Sequence, residues 1–301
     1  MQIRGLLVLL ISKAAGHSAN SIDFMDAETS AGISQRQRSL AEMTEMIYSA
    51  HLIHRGILNL QPHLVAQSKI AQDLHFGNKM SVLSGDFLLA SVWKGLGELR
   101  NTKVVELMAT AIGDFMEGQF VIETESSRPE DHATTVYWEE RNFLRVGSLQ
   151  ANSCQSALAL AAHDETVQSR GYEFGRNFAL AWQAFNEIQP FLRSFNGLTP
   201  LVGASGTNVS TNLPTTPVFD LMSAPVLQHI ESEGITLDSF RTSGQIDYQK
   251  LHSVIAEGAG VAKTHELINS YTTKALDALS HLPSSDAVNA LSNIVNAVRE
   301  Q

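Results

Sequence analysis

The sequence predicts an all-α protein built as a single large helical domain over residues 1–301. Apolar residues recur at three- and four-residue spacing along almost the whole chain, which is the period of one face of an α-helix. Sustained two-residue alternation, the pattern of a half-buried strand, is hard to find. Hydrophobic residues make up 44% of the chain, ample material for one core. No internal repeat or long linker divides the chain in two.

Four stretches carry the helical period most clearly, and each predicts a helix that buries one face. In chain order their apolar positions are Met43, Met46, Ile47, Ala50, Ile53 and Ile57; Leu88, Leu89, Val92, Trp93 and Leu96; Phe178, Leu180, Ala181, Phe185 and Ile188; and Leu276, Leu279, Ala287, Leu291, Ile294, Val295 and Val298.

Three interruptions separate these helices. Residues 125–131 are polar and contain a proline, which predicts a turn. Residues 203–217 are rich in Gly, Ser, Thr, Asn and Pro and predict a flexible loop. At residues 283–286 a proline precedes two serines and an aspartate, so a final helix is expected to start there.

The N-terminal apolar run, residues 6–11, is far shorter than the ~20 residues needed to cross a bilayer. A signal peptide is the alternative, but the run continues naturally as a core helix. No transmembrane segment is therefore predicted. The single cysteine, Cys154, permits no intramolecular disulfide and lies among small residues, which predicts a buried helical position.

The charge balance argues against a nucleic-acid partner. The chain has 31 acidic and 21 basic residues, a net charge of −10, and no cluster of Lys and Arg that would form a basic patch. Charged residues make up 17%, against an average of roughly 25%. This low fraction is expected of a chain that hides much of its surface in a large core or an oligomer interface.

Several segments in a fixed order resemble the trans-polyprenyl diphosphate synthase family, and within it the non-catalytic second subunits of heteromeric decaprenyl diphosphate synthases. The segments are QIRGLLVLLISKAAG at 2–16, RSLAEMTEMI at 38–47, HRGILN at 54–59, FGNKM at 76–80, GDFLLA at 85–90, GRNFALAWQ at 175–183, NEIQP at 186–190, SAPVL at 223–227, YTTKAL at 271–276 and LPSSDAVNAL at 282–291. The resemblance covers essentially the whole chain and implies the all-helical fold of isoprenoid synthases.

Active members of that family carry two DDxxD motifs, each on a helix, which hold Mg²⁺ against an allylic diphosphate. Positions i, i+1 and i+4 of a helix bring the carboxylates to one wall of a cavity. Magnesium prefers hard oxygen ligands, so the aspartates are chemically required.

Both motifs are degenerate in this chain. By resemblance the first falls on residues 55–59, where Arg55, Gly56 and Asn59 stand at the ligand positions and no carboxylate remains. The second falls on residues 186–190, where Asn186, Glu187 and Pro190 stand. Only Glu187 carries a carboxylate, and Pro190 is expected to break or kink its helix. The sequence therefore predicts no catalytic residue and no metal ligand.

Four further residues near these motifs have alternative interpretations. Arg145 and Gln183 are candidates for lining a residual cavity, although a core role is the simpler interpretation of Gln183. Asp86 is expected to have a packing or hydrogen-bonding role. His54 lies three residues after another histidine on a predicted helix, but no third ligand accompanies the pair.

The resemblance implies a required, non-catalytic subunit of a synthase that makes the isoprenoid side chain of ubiquinone. Its partner would be a catalytic polyprenyl diphosphate synthase subunit that holds the Mg²⁺, in a heterotetramer on the matrix side of mitochondria, with this chain binding no cofactor itself. An N-terminal leader is expected to be absent from these 301 residues. Two alternatives remain: a self-sufficient prenyltransferase with altered metal ligands, and a regulatory protein that binds a prenyl lipid.

Overall fold

The computed structural model describes residues 3–16, 18, 31–60, 69–125, 134–193, 199–200, 215–216, 219–242 and 245–300. Its α-helices are α1 (Ile3–Ala15), α2 (Gln35–Arg55), α3 (Lys69–Glu98), α4 (Thr102–Glu125), α5 (Thr135–Asn142), α6 (Ser148–Leu160), α7 (Glu165–Ile188), α8 (Ala224–Glu233), α9 (Tyr248–Glu257), α10 (Ala259–Ser280) and α11 (Asp286–Arg299). A π-helical turn (Phe143–Gly147) joins α5 to α6, and 3₁₀ turns lie at Gln189–Leu192 and Leu237–Phe240.

Strands in the described residues are limited to two short antiparallel ladders. The first pairs β1 (Thr199–Pro200) with β2 (Thr215–Thr216), and the second pairs β3 (Arg241–Thr242) with β4 (Gln245–Ile246). The prediction of an all-α fold is confirmed.

The chain divides into two compact units. The first comprises Met1–Met116, Ser148–Arg176 and Ala275–Ile294, and the second Glu117–Gly147, Asn177–Lys274 and Val295–Gln301. Because the segments of the two units alternate along the chain, neither unit is a continuous piece of sequence. The single domain over residues 1–301 stays a prediction.

In the first unit, α2 packs against α1, α3 and α6. The helix starts at a capping box, in which Gln37 N donates to Ser34 Oγ (3.3 Å) and Ser34 N donates to Gln37 Oε1 (3.0 Å). Further along, Thr44 Oγ1 donates to Ser153 Oγ of α6 at 3.0 Å. Cys154 is buried as predicted, and desolvation raises the pKa of its thiol to about 12, so the thiol is unreactive.

Two of the predicted core positions are wrong. Ile57 lies beyond the end of α2 and is 38% exposed, because the helix stops two residues earlier. Trp93 is 45% exposed. On α3, Val92 and Leu96 are buried one turn apart, and the next position along the helix turns about 100° away from that face.

The second unit has an apolar cluster around α8 and α9. Its buried members are Phe191, Phe219, Val226, Ile230, Leu237, Phe240, Leu251 and Ile255. This cluster fixes α8 and α9 beside the 3₁₀ turn that follows α7.

The predicted interruptions can be compared only in part. Helix α4 ends at Glu125 and α5 begins at Thr135, while residues 126–133 lie outside the described residues. Of the predicted loop at 203–217, only Thr215–Thr216 is described, as β2. The final helix is confirmed, since α11 begins at Asp286 and Val288 N donates to Ser285 Oγ at 3.3 Å.

The N-terminal apolar run lies within α1, which buries Leu7, Val8 and Ile11. None of the helices in the described ranges combines the length and the hydropathy that a bilayer-spanning segment needs.

Candidate functional site

The first degenerate cluster lies at the end of a helix rather than within it. Helix α2 ends at Arg55, and residues 57–60 have no helical structure. Arg55, Gly56 and Asn59 are all exposed. Positions 55–59 therefore do not share a helix face, which is the geometry that would bring residues i and i+4 together.

The segment after α2 is held in this non-helical form by one side chain of α3. Asn78 Oδ1 accepts a hydrogen bond from Leu58 N (2.9 Å), and Asn78 Nδ2 donates to Leu58 O (2.6 Å). Both backbone groups of Leu58 are thus satisfied outside a helix.

His54, the residue just before this cluster, packs its ring against α3 at Gly85. Its Nε2 is 3.5 Å from Asp86 Oδ1 and 3.4 Å from Val82 O. A Cβ on Gly85 would overlap the His54 ring, so a larger residue there would require the ring to move. Asp86 thus lies beside the His54 ring with its side chain 64% exposed, and the packing or hydrogen-bonding role expected of it stays a prediction.

The second degenerate cluster lies where α7 ends. The α-helix stops at Ile188, and Pro190 sits in the 3₁₀ turn that follows, as expected of a proline. The carbonyl of Pro190 accepts a hydrogen bond from His252 Nε2 at 2.9 Å, and the His252 ring stacks on Phe191. Asn186 is exposed. Pro190 and Phe191 thus both contact His252 of α9.

The Glu187 carboxylate accepts hydrogen bonds from three N–H donors within the chain. Oε2 accepts from Trp138 Nε1 of α5 (2.7 Å) and from Ala224 N at the start of α8 (2.8 Å). Oε1 accepts from Gln183 Nε2 one turn earlier on α7 (2.6 Å). Burial raises the pKa of Glu187, against the opposing effect of these hydrogen bonds and of the Arg141 guanidinium.

An ion pair between a buried guanidinium and a half-exposed carboxylate holds the turn that leads into α8. Arg141 Nη2 donates to Asp220 Oδ2 at 2.6 Å, and Arg141 Nη1 donates to Met222 O at 2.9 Å. Met222 N in turn donates to Asp220 Oδ1 at 2.9 Å. Burial acts to raise the pKa of Asp220, but Arg141, this amide and the charge of Arg145 together hold it below its usual value.

The two predicted cavity residues have different positions. Gln183 is partly buried and its amide is engaged by Glu187. Arg145 lies on the π-helical turn, and its Cγ would lie 3.1 Å from a Cβ placed on Gly118. Whether either lines a cavity stays a prediction.

The family model for polyprenyl synthetase matches residues 1–222 of this chain. The chain belongs to the polyprenyl synthetase family.

Similar proteins support this membership over nearly the whole chain. The human all trans-polyprenyl-diphosphate synthase PDSS2 is 40% identical over 307 residues, which span 99% of this chain and 72% of the human protein. A probable mitochondrial hexaprenyl pyrophosphate synthase of Neurospora crassa is 31% identical over 261 residues, spanning 85% of this chain and 56% of that protein.

The fold is also that of solved polyprenyl synthases. The apo form of an Arabidopsis medium/long-chain length prenyl pyrophosphate synthase superposes with a TM-score of 0.69 at 25% identity, covering 99% of this chain and 89% of that one. The expected isoprenoid synthase architecture is confirmed.

The polyprenyl synthetase family implies Mg²⁺, and the residues present do not fit this ion. Magnesium needs near-octahedral oxygen ligands, in such enzymes one or two carboxylates with water and substrate phosphate. The first cluster offers a guanidinium and an amide, and the single carboxylate of the second already accepts three hydrogen bonds. Within the described ranges, no group of three or more His, Cys, Asp or Glu residues could hold a metal.

Sequence reasoning missed Trp138, Arg141, Asp220 and Ala224. Trp138 and Arg141 lie three residues apart, so their sharing of one helix face was predictable. The serine at 223 followed by proline at 225 is a helix-start signal that was available for α8. The pairing of these segments spans up to 81 residues and has no local signal.

Proposed function

We propose that this chain is the non-catalytic, required subunit of a heteromeric all-trans-polyprenyl diphosphate synthase that makes the isoprenoid side chain of ubiquinone. One observation carries the proposal: a single carboxylate remains at the two clusters, and it is hydrogen-bonded within the chain. A catalytic homologue would supply both aspartate clusters and the Mg²⁺. Such a chain acts by assembling with that homologue.

An exposed apolar stripe on α3 supports a role in assembly. Phe76, Met80, Leu83 and Phe87 are 64%, 44%, 52% and 71% exposed, and we call these four residues the α3 stripe. Their spacing of four, three and four places them along one side of the helix. Only four residues of this 30-residue helix are buried. An apolar surface of this kind marks an interaction site.

The α3 stripe suits a helix of a partner subunit. Leu83, Ser84, Phe87 and Leu88 line an open depression of about 330 Å³, which can receive side chains from a facing helix. The net charge of −10 makes two copies of this chain repel each other, which favours a less acidic partner over self-association. We therefore assign the stripe to the catalytic homologue, in a heterotetramer.

The names of the relatives suggest where such a complex works. Several similar proteins are described as mitochondrial hexaprenyl or solanesyl synthases. On that basis we propose a mitochondrial location, on the matrix side.

The decisive experiment compares this chain alone, a catalytic homologue alone, and the two coexpressed. Each sample receives farnesyl diphosphate, labelled isopentenyl diphosphate and Mg²⁺, and the product length is measured. We expect no elongation by this chain alone and robust elongation by the copurified pair. Size-exclusion chromatography with light scattering then gives the stoichiometry.

The alternatives predict other results in the same assay. Elongation by this chain alone, abolished by chelating the metal, would contradict the proposal and make it a self-sufficient enzyme. Copurified prenyl lipid without any synthase partner would contradict it in favour of a lipid-binding regulator. Neither alternative is favoured by an observation at the two clusters.

A further inference from the structure

The start of α8 lacks the usual cap from its own sequence. Ser223 occupies the N-cap position, where a serine oxygen ordinarily accepts from an amide of the first turn. Here its side chain makes no such bond, and its buried Oγ has no hydrogen-bond partner among the described residues. The first amide of the helix, Ala224 N, donates instead to Glu187 Oε2 at 2.8 Å.

A carboxylate from another helix therefore caps α8. The N-terminus of a helix carries a positive partial charge, which a carboxylate placed there stabilises. Glu187 also receives the indole N–H of Trp138, a side chain that is completely buried. The cap thus joins α5, α7 and α8 at one carboxylate.

The same contacts exclude a divalent cation from Glu187. A carboxylate has about four lone-pair sites, and three are occupied by N–H donors here. The hydrogens of these donors and the nearby Arg141 guanidinium surround the carboxylate with positive charge. A magnesium ion would have to displace donors whose own hydrogen bonds would then be lost.

We infer that Glu187, the last carboxylate of the second cluster, is a positioning residue that anchors the N-terminus of α8 and is closed to metal ions. This inference rests on the proposed function and explains why one acidic residue persists at a cluster that does no chemistry. The side chain at this position of the cluster instead connects α5, α7 and α8.

The test measures amide hydrogen exchange of Ala224, Val226 and Leu227, in the first turn of α8, in the full chain. Glu187→Ala removes all three hydrogen bonds, and we expect exchange there to be about tenfold faster or more. Glu187→Gln keeps the shape: its oxygen can accept from Trp138 and Ala224, and its NH₂ can donate to a flipped Gln183 amide. We therefore expect exchange in Glu187→Gln to stay close to wild type.

Two further variants complete the design. Glu165→Gln removes an exposed carboxylate from the same helix, α7, and should leave exchange in α8 unchanged. Trp138→Phe removes one donor while keeping an aromatic ring, and should give an intermediate increase. Trp138→Phe also tests the anchor if Glu187→Ala does not fold.

Addition of Mn²⁺ alone, at millimolar concentration, tests the exclusion of cations. We expect no change in α8 exchange and no Mn²⁺ binding that depends on Glu187.

Equal exchange in Glu187→Ala, Trp138→Phe and wild type would overturn the inference that Glu187 anchors α8. Binding of Mn²⁺ to wild type that is lost in Glu187→Gln would overturn the exclusion. Since neither readout involves a partner or elongation, failure of the inference is distinct from failure of the proposed function.

Discussion

At the residue scale, the second unit encloses a full positive charge. Arg141 is only 3% exposed, and its guanidinium bonds to the carboxylate of Asp220 and the carbonyl of Met222. A buried charge of this kind is tolerated when it is paired and hydrogen-bonded. The pair holds the turn before α8, next to the carboxylate of Glu187.

Removing the negative partner should therefore destabilise the chain. We expect Asp220→Asn to lower the free energy of unfolding by about 2 kcal/mol, less than for a fully buried pair because the Asp220 side chain is 51% exposed. The matched control is Asp238→Asn, whose partner Arg241 is 37% exposed, and a change within about 0.5 kcal/mol is expected. Urea unfolding at pH 7 measures both. Equal effects of the two variants would argue against a special role for the Arg141 pair.

The same pair sets a pH dependence. The pKa of Asp220 is lower in the folded chain than its ordinary value, so its contribution to stability is present above the unfolded pKa of about 3.9. It is lost as the pH falls through the folded pKa. The stability difference between wild type and Asp220→Asn should thus be constant near neutral pH and shrink below about pH 4. A difference that grows in acid would contradict this sign.

At the element scale, glycines on α7 set how closely α6 can approach. A Cβ on Gly175 would lie 2.5 Å from the carbonyl oxygen of Gln150 and 2.9 Å from Cα of Ala151. One turn earlier, a Cβ on Gly171 would lie 3.2 Å from the carbonyl oxygen of Cys154. Since these neighbours are backbone atoms, the helices would have to move apart to admit a side chain.

Gly175→Ala should consequently lower the free energy of unfolding by about 1–3 kcal/mol, the usual cost of overpacking. Gly77→Ala on α3 is the control, because nothing lies within 4 Å of the added Cβ. That change should be neutral or stabilise by up to about 1 kcal/mol, since alanine is the better helix former. Thermal and urea unfolding give both values. Only Gly175→Ala is expected to destabilise, and a neutral Gly175→Ala would mean that the two helices separate at little cost.

At the scale of the whole molecule, the two clusters and the α3 stripe both bear on the proposed role in assembly. Residues 55–59 and 186–190 hold a single carboxylate between them, whereas α3 exposes large apolar side chains to solvent. Fully burying a side chain of this size contributes about 1.5–3 kcal/mol. A complex in which a catalytic partner covers the stripe would gain this free energy for each stripe side chain that is buried.

Charged substitutions in the stripe test the assembly. We expect Leu83→Glu and Phe87→Glu each to weaken copurification with the catalytic homologue at least about tenfold, because burying an unpaired carboxylate is costly. The isolated chain should keep its stability, since both side chains are exposed in it. Val136→Glu on α5 is the matched control, at an apolar position that is 69% exposed but off the stripe. Normal copurification of both stripe variants would assign the interface elsewhere.

Much of this protein was predictable from local pattern. The three- and four-residue period predicted the helices, the serines before Asp286 predicted the start of α11, and the absence of carboxylates at residues 55–59 was evident from residue type alone. Trp93 and Ile57 show the limit of periodicity. Neighbouring positions on a helix differ by about 100°, and a helix end shifts every later residue off the face.

The sequence by itself determined the helical class, the family resemblance and the absence of aspartates at residues 55–59 and 186–190, because each depends only on residue type and short spacing. Only the tertiary structure decided which groups the residues at these positions contact. The bond from Ala224 to Glu187 spans 37 residues and the bond from Trp138 to Glu187 spans 49. Such partners are set by how helices pack, and packing depends on contacts between residues far apart in the chain. The same long-range packing leaves the α3 stripe exposed.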